Sequence, residues 1–335
     1  MTLIIAEAGV NHNGDEKLAF ELIDAAYQAG ADIVKFQTFK AKNLVTEEAK
    51  QADYQVTNTQ KQESQLAMLS RLELSYDAHH QLVKHCERLG IEFLSTAFDS
   101  ESLDFLVKDL GLTRLKLPSG ELTNAPLVLE HARTGCDLIV STGMATLSEI
   151  ETALAYASDK GQQALKSKVT ILHCTTEYPA PMEEINLKAM DTLGRAFDLP
   201  AGYSDHSQGI AIPIAAVARG AVLIEKHFTL DNNMEGPDHK ASLEPQDLTA
   251  MVSAIRQVEL ALGSSVKTPT VSEVKNKAVA RKSLVAACDI AEGEEFSSEN
   301  ITIKRPGHGM SPYCYWDMLE RSSSKAYQAG DLIFE

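Results

Sequence analysis

Basic residues are scarce in this chain: 31 Lys and Arg stand against 47 Asp and Glu in 335 residues, a formal net charge of −16. That deficit disfavours nucleic acid or an anionic membrane as the main partner. A small anionic ligand would have to be met by a few basic groups gathered in one place. Cysteine is sparse as well. The five present (Cys86, Cys136, Cys174, Cys288 and Cys314) are odd in number and form no CxxC pair. Their spacing argues against a disulfide framework or a cysteine zinc centre and suits a reducing compartment. No apolar run approaches the ~20 residues of a membrane helix, and MTLIIAEAGVNHNG at the start carries no basic leader. The expected location is the cytoplasm. GxGxxG is also missing, which leaves a dinucleotide-binding open sheet without support.

What the chain does contain is a globular composition, 44% hydrophobic and 23% charged, with a regular alternation of patterns. Eight apolar runs are too short for helices: LIIAEAG from Leu3, DIVKFQT from Asp32, IEFLSTAF from Ile91, TRLKLPSG from Thr113, DLIVSTG from Asp137, VTILHCT from Val169, LPAGYSD from Leu199 and AVLIEKHF from Ala221. Between them lie segments of helical period, such as DEKLAFELIDAAYQAG, SYDAHHQLVKHCERLG and TLSEIETALAYASDKG, which open near an Asp, Ser or Thr and close on Gly. Near-continuous apolar strands alternating with helices imply a parallel sheet, and eight units over ~260 residues fit a (β/α)8 barrel. The connection after the second strand, TFKAKNLVTEEAKQADYQVTNTQKQESQLAMLSRLEL, is far longer than an ordinary βα loop and is expected to form a lid or substrate wall.

After Gly263 the pattern changes. Residues 264–280 read as a polar linker, and 281–335 as a small β module of short strands and turns. AEGEEF and AGDLIF form a weak repeat within it, an x-Gly-acid-x-apolar turn. The expected domains are therefore 1–263, a catalytic barrel, and 281–335, joined by 264–280.

Barrel enzymes carry their active sites at the C-terminal ends of the strands. Those ends are polar here: Glu7, Asn11 and His12; Lys35 and Gln37; Ser95 and Thr96; Lys116, Ser119 and Glu121; Ser141 and Thr142; His173, Thr175, Thr176 and Tyr178; Ser204, Asp205 and His206; Glu225, Lys226 and His227. Buried ionised groups cost several kcal/mol unless paired, so packing alone does not account for the set. His206 and His227 end neighbouring strands and make a candidate metal pair with open positions left for catalysis. Asp205 and Glu225 read either as orienting partners or as solvated flanking residues. Lys35 and Lys116, with the hydroxyls of Ser119, Ser141 and Ser204, suit phosphate or carboxylate. The same lysines would alternatively pair with Glu7 or Glu121, or one would form a Schiff base as in a pyruvate aldolase. Glu7 and Glu121 are candidate acid–base groups. His12, His173 and Tyr178 would orient substrate, His12 being equally readable as a turn residue of NHNG.

Taken together, IAEAGVNHNGD, ADIVKFQTFKA, FLSTAFD, LKLPSGE, STGMA, LHCTTEYPAP, GYSDHSQGI, IEKHFTL, NMEGPDHKASLEP and IKRPGHG resemble the sialic acid synthase family of nonulosonic acid synthases. The likeness runs in order over nearly the whole chain. It implies a (β/α)8 TIM barrel followed by an antifreeze-like (SAF) β-clip domain, and a domain-swapped homodimer in which that domain caps the partner's site. It also implies condensation of phosphoenolpyruvate with an N-acetylated aminosugar and water, releasing phosphate, with Mn2+ the expected ion and Mg2+ or Co2+ as alternatives. By the resemblance, His206 and His227 are metal ligands, and Lys35, Lys116, Ser119, Ser141 and Ser204 meet phosphoenolpyruvate. Glu7, Tyr178 and Asp238 meet the sugar, with Gln37 and Thr176 bordering the substrates. Arg305 reaches in from the partner subunit, and Glu121 takes the place of a base for the attacking water. N-acetylmannosamine is the first expected acceptor, giving N-acetylneuraminate. Because Thr176 stands where some neuraminate synthases have Asn, the alternative is 2,4-diacetamido-2,4,6-trideoxymannose, giving N,N'-diacetyllegionaminate.

Overall fold

A computed structural model describes residues 1–59, 61–158 and 168–334. The chain divides into two compact units, Met1–Gly263 and Ser264–Glu335. Among the described residues no helix is long and apolar enough to cross a membrane.

The first unit is a closed barrel of eight parallel strands in sequential order, as the alternating pattern predicts. They are β1 (Leu3–Gly9), β2 (Ile33–Thr38), β3 (Glu92–Ala97), β4 (Arg114–Leu117), β5 (Asp137–Ser141), β6 (Val169–Cys174), β7 (Ala201–Asp205) and β8 (Leu223–His227). Closure is direct: β8 pairs with β1 from Leu3↔Leu223 to Glu7↔His227. Several helices begin where short polar side chains satisfy their free N–H groups. Asp15 accepts from Lys17 N ahead of Glu16–Gln28, Ser75 from Ala78 N ahead of Tyr76–Leu89, and Asp99 from Ser102 N. Gly90 ends the second of these in the left-handed region, φ 81°. The glycine read as the end of TLSEIETALAYASDKG, Gly161, lies outside the described residues; the helix itself covers Leu147–Ser158.

Side chains alternate across each strand. The outward set packs on the helices in two apolar clusters, one with Ile4, Ala6, Val34, Phe36 and Ile224, the other with Leu115, Leu117, Leu138 and Val140. Inward, Ile5, Ile33, Leu94, Ile139, Leu172 and Leu223 form a separate aliphatic floor inside the barrel. Two residues further along, the same strands carry Glu7, Lys35, Thr96, Ser141, Cys174 and Glu225, which lie in a polar layer above that floor. The period of two thus converts a sequence of short runs into an oil layer beneath a ring of functional groups.

The long connection after β2 is not structureless. It holds short helices at Ala41–Leu44, Asp53–Thr59 and Gln65–Leu72. Phe39, Met68 and Leu72 share a small apolar cluster with Val10 after β1, and Phe98 after β3 packs on it. Asn58 Nδ2 donates to Pro237 O at 2.7 Å, and Lys61 pairs with Glu235, tying the connection to the loop after β8. It forms a wall at the strand C-termini.

In the second unit, β9 (Ser283–Ala286) and β10 (Ile301–Lys304) pair antiparallel over a core of Leu284, Ala286, Ile290, Phe296, Ile301, Met318, Tyr327 and Ile333. Residues 264–280, read as a linker, belong to this unit. They include helix Val271–Ala280, started by a Thr270/Glu273 capping box and held by Gly307 N donating to Ala278 O at 2.8 Å. The weak repeat is real in geometry. Gly293 and Gly330 are both left-handed, φ 84° and 96°. The acid after each accepts from the N–H two residues before the glycine: Glu294 from Ala291 N at 2.8 Å, Asp331 from Gln328 N at 2.7 Å.

Gly202, inside β7, has no room for a side chain: a Cβ there would stand 2.4 Å from Leu223 O and 2.7 Å from Leu172 Cδ2. Because one obstacle is β8 backbone, Gly202→Ala is expected to lower unfolding free energy by about 1–3 kcal/mol. Urea denaturation reads this; an unshifted midpoint would mean that β7 and β8 separate without cost.

Candidate active site

The polar layer opens into a cavity of about 160 Å³ lined by Glu7, Lys35, Gln37, Lys116, Ser119, Ser141, Thr176, Tyr178, Ser204, His206, Glu225 and His227, together with Thr96, Phe98, Pro118, Gly120 and Cys174. Most of the residues expected from the sequence are therefore brought to one place. Of those given a role by the family resemblance, three are not in this lining. Glu121 sits in the 3₁₀ turn Ser119–Glu121, its carboxylate accepting from Asn124 Nδ2 at 2.7 Å. Asp238 is buried in the loop after β8, and Arg305 lies in the second unit, its Nε donating to Ala280 O at 3.0 Å.

Several strand-end residues do not converge on the cavity. Asp205 and Lys226, being one residue out of phase with the histidines, face outward and pair with each other at 2.7 Å. Ser95 likewise faces outward and joins Thr38 and His79. His173 donates Nε2–H to Ile185 O at 2.7 Å, and His12 accepts from Gly14 N within the NHNG turn. Each has a structural occupation.

Glu225 is the centre of the charge arrangement. Its Oε1 accepts from Lys116 Nζ at 2.7 Å and from Ser204 Oγ at 3.0 Å, while Oε2 lies 3.6 Å from Lys35 Nζ. Lys35 also pairs with Glu7 at 2.8 Å and donates to Thr96 Oγ1 at 2.9 Å; Gln37 Nε2 donates to the other Glu7 oxygen at 3.4 Å. All four charged groups are buried. Burial would raise the Glu225 carboxyl, but Lys116 and Lys35 outweigh it and hold it well below the usual carboxylate range. Glu7, less favourably placed, is pushed up to about 7 by burial, with Lys35 opposing. Burial would lower Lys35, yet Glu225 and Glu7 overcome this and raise it, whereas burial prevails at Lys116 and lowers it. Sequence reasoning left Glu225 undecided. The signal was available in IEKH: if His227 faces the interior, alternation places Glu225 there and Lys226 outside. Thr96 and Cys174 follow from Leu94 and Leu172 by the same rule.

The two histidines lie with ring centroids 5.5 Å apart. His206 donates Nδ1–H to Thr175 O at 2.7 Å, which fixes its tautomer and leaves Nε2 with a free lone pair. Tyr178 stacks on His206 at 4.1 Å and meets His227 edge-on at 5.6 Å. His227 Nδ1 is buried without a partner. Burial lowers both rings, His206 to about 4 and His227 well below its ordinary value, so both are neutral at physiological pH. Two neutral imidazoles, one oriented by a carbonyl and one with an unsatisfied nitrogen, fit a divalent ion. Among the described residues no group of three or more His, Cys, Asp or Glu is placed to hold a metal, so water or substrate oxygen would complete the coordination. Ser141 Oγ is also buried and unpartnered, a donor left over beside the lysines.

Residues 22–267 match the model of the NeuB family. The chain belongs to that family. It is 54% identical to the N,N'-diacetyllegionaminic acid synthase of Campylobacter jejuni over 100% of this chain and 99% of the relative. It is 47% identical to the enzyme of the same name from Legionella pneumophila, over 92% and 86%. The crystal structure of N-acetylneuraminic acid (sialic acid) synthetase from Leptospira borgpetersenii superposes with a TM-score of 0.71 at 35% identity, covering 82% of this chain and 90% of that one. This NeuB-family chain is a nonulosonic acid synthase.

Removing the charge at Glu225 leaves two buried ammonium groups short of a partner. Glu225→Gln is expected to cost about 3–5 kcal/mol of stability, with inorganic phosphate raising the melting temperature more in the variant than in the parent. Thermal unfolding with and without phosphate tests this; equal melting of the two proteins would remove Glu225 from the centre of the site. At Asp238, burial pushes the carboxyl up to about 6. An acid raised in the folded state contributes stability that is full below its unfolded pKa of about 3.9 and is lost as pH rises through 6. Asp238→Asn should therefore match the parent below pH 4 and exceed it by about 1–3 kcal/mol above pH 6, as followed by thermal unfolding across that range.

Proposed function

We propose that this synthase condenses phosphoenolpyruvate with 2,4-diacetamido-2,4,6-trideoxymannose and water to give N,N'-diacetyllegionaminic acid and phosphate. The observation that carries the choice of acceptor is the 54% and 47% identity to two N,N'-diacetyllegionaminic acid synthases, against 35% to the neuraminic acid synthetase. This reverses the order expected from the sequence, where N-acetylmannosamine came first. Thr176 in the cavity, at the position where some neuraminate synthases carry Asn, agrees with it.

In this reading Lys35, Lys116, Ser119, Ser141 and Ser204 hold phosphoenolpyruvate. The hydroxyls add donors where the lysines are already partly neutralised by Glu225 and Glu7. Glu7, Gln37, Thr176, Tyr178 and Asp238 position the sugar. His206 and His227 hold a divalent ion, Mn2+ first, which when bound supplies Lewis acidity at the sugar's aldehyde oxygen. The cavity sets the aldehyde carbon against C3 of phosphoenolpyruvate, and this positioning lowers the entropic part of the barrier. A bond forms between those carbons, and the aldehyde oxygen takes up a proton to become a hydroxyl. C2 gains cationic character, water adds there with loss of a proton, and the C2–O bond to phosphate breaks. The ammonium and hydroxyl donors offset the charge gathering on the departing phosphate. Glu121 is retained as the base for water, and Arg305 as a group delivered by the partner subunit of a homodimer.

A phosphate-release assay tests the proposal, with phosphoenolpyruvate and a panel of aminosugars, with and without Mn2+. The diacetamido sugar is expected to give the highest kcat/KM, with chelator abolishing release. Preference for N-acetylmannosamine would overturn the choice of acceptor, and release insensitive to chelator would overturn the metal. In the same assay Arg305→Ala should abolish synthesis; full activity would contradict the trans contribution.

A further inference from the structure

Directly behind the histidines, on the outer face of the barrel, lies an ion pair with no contact with the cavity. Asp205 Oδ2 and Lys226 Nζ are 2.7 Å apart, and both side chains are fully buried. Their strands are in register at this point, Asp205 opposite Lys226. The pair also holds both backbone polar groups of Ser207, the residue on the far side of His206. Asp205 Oδ1 accepts from Ser207 N at 2.9 Å, and Lys226 donates to Ser207 O. His206 is thus flanked by a residue of the pair and by the residue the pair holds, just where β7 has ended and the chain turns away.

A buried ion pair is a poor way to gain stability. The desolvation of two charges offsets most of their attraction, and apolar side chains of the same volume often serve equally well. What an apolar pair does not supply is a partner for the N–H and C=O of Ser207. We propose that Asp205 and Lys226 are positioning residues for the metal site, a brace that fixes the backbone around His206 and locks β7 to β8 so that the two imidazoles keep their mutual placement. This rests on the reading of His206 and His227 as metal ligands.

The test compares Mn2+ binding by calorimetry in the parent, in His206→Ala and in two double variants, with thermal unfolding of each. In Asp205→Leu/Lys226→Met the pair becomes apolar at similar volume. It should still fold, its melting temperature lowered by the unpaired Ser207 N–H and C=O, yet bind Mn2+ about 10–100-fold more weakly. In Asp205→Asn/Lys226→Gln the hydrogen-bonding groups remain without the charge, and affinity should return to within a few-fold of the parent. Parent-like Mn2+ affinity in the apolar variant would overturn the brace. So would its failure to fold, which would assign the pair to stability. No Mn2+ binding by the parent itself would instead overturn the metal reading, and is distinguished by that control.

Discussion

A single carboxylate organises this protein's interior. Glu225 lies fully buried between two ammonium groups and a serine hydroxyl, each from a different strand of the barrel. Without it, Lys116 would lose its carboxylate partner and Lys35 would be left with Glu7 alone. With it, they stand ready as paired cations that an incoming anion can share. In a chain with 31 basic residues against 47 acidic ones, two lysines are buried together here, each beside a carboxylate.

Much of this was legible in the sequence because a strand's alternation is a simple code. Eight short apolar runs, each ending in polar residues, place functional groups at one rim, and the rim is found where expected. The code is ambiguous where two charged residues are adjacent. In IEKH and SDH the letters do not say which of Glu225 and Lys226, or Ser204 and Asp205, faces inward until the histidines fix the phase. Off the strands it ends altogether. Glu121 sits in a turn, Asp238 in the loop after β8, and Arg305 in a second compact unit, so no period locates their side chains. The connection after β2 was legible as an unusual length but not as short helices, because those at Ala41–Leu44 and Asp53–Thr59 are too brief to show a helical period and only Gln65–Leu72 buries a spaced pair, Met68 and Leu72.

The two faces of β7 and β8 divide the labour between chemistry and support. Ser204, His206, Glu225 and His227 face the cavity, while Asp205 and Lys226 spend a full ion pair on the opposite side. The acceptor sugar, by contrast, is assigned to no residue of β7 or β8. Of the residues proposed to position it, Glu7 and Gln37 stand on strands, whereas Thr176, Tyr178 and Asp238 stand on loops.

The aliphatic floor of Ile5, Ile33, Leu94, Ile139, Leu172 and Leu223 has a consequence of its own. It is an insulator. Water cannot reach the charged ring from below, so the hydration of every group in it is governed from the open end alone. Whatever covers that end changes the local dielectric for the lysines, the carboxylates and the histidines together, and their fields strengthen as one. The barrel is in effect a well that meets water at one end only.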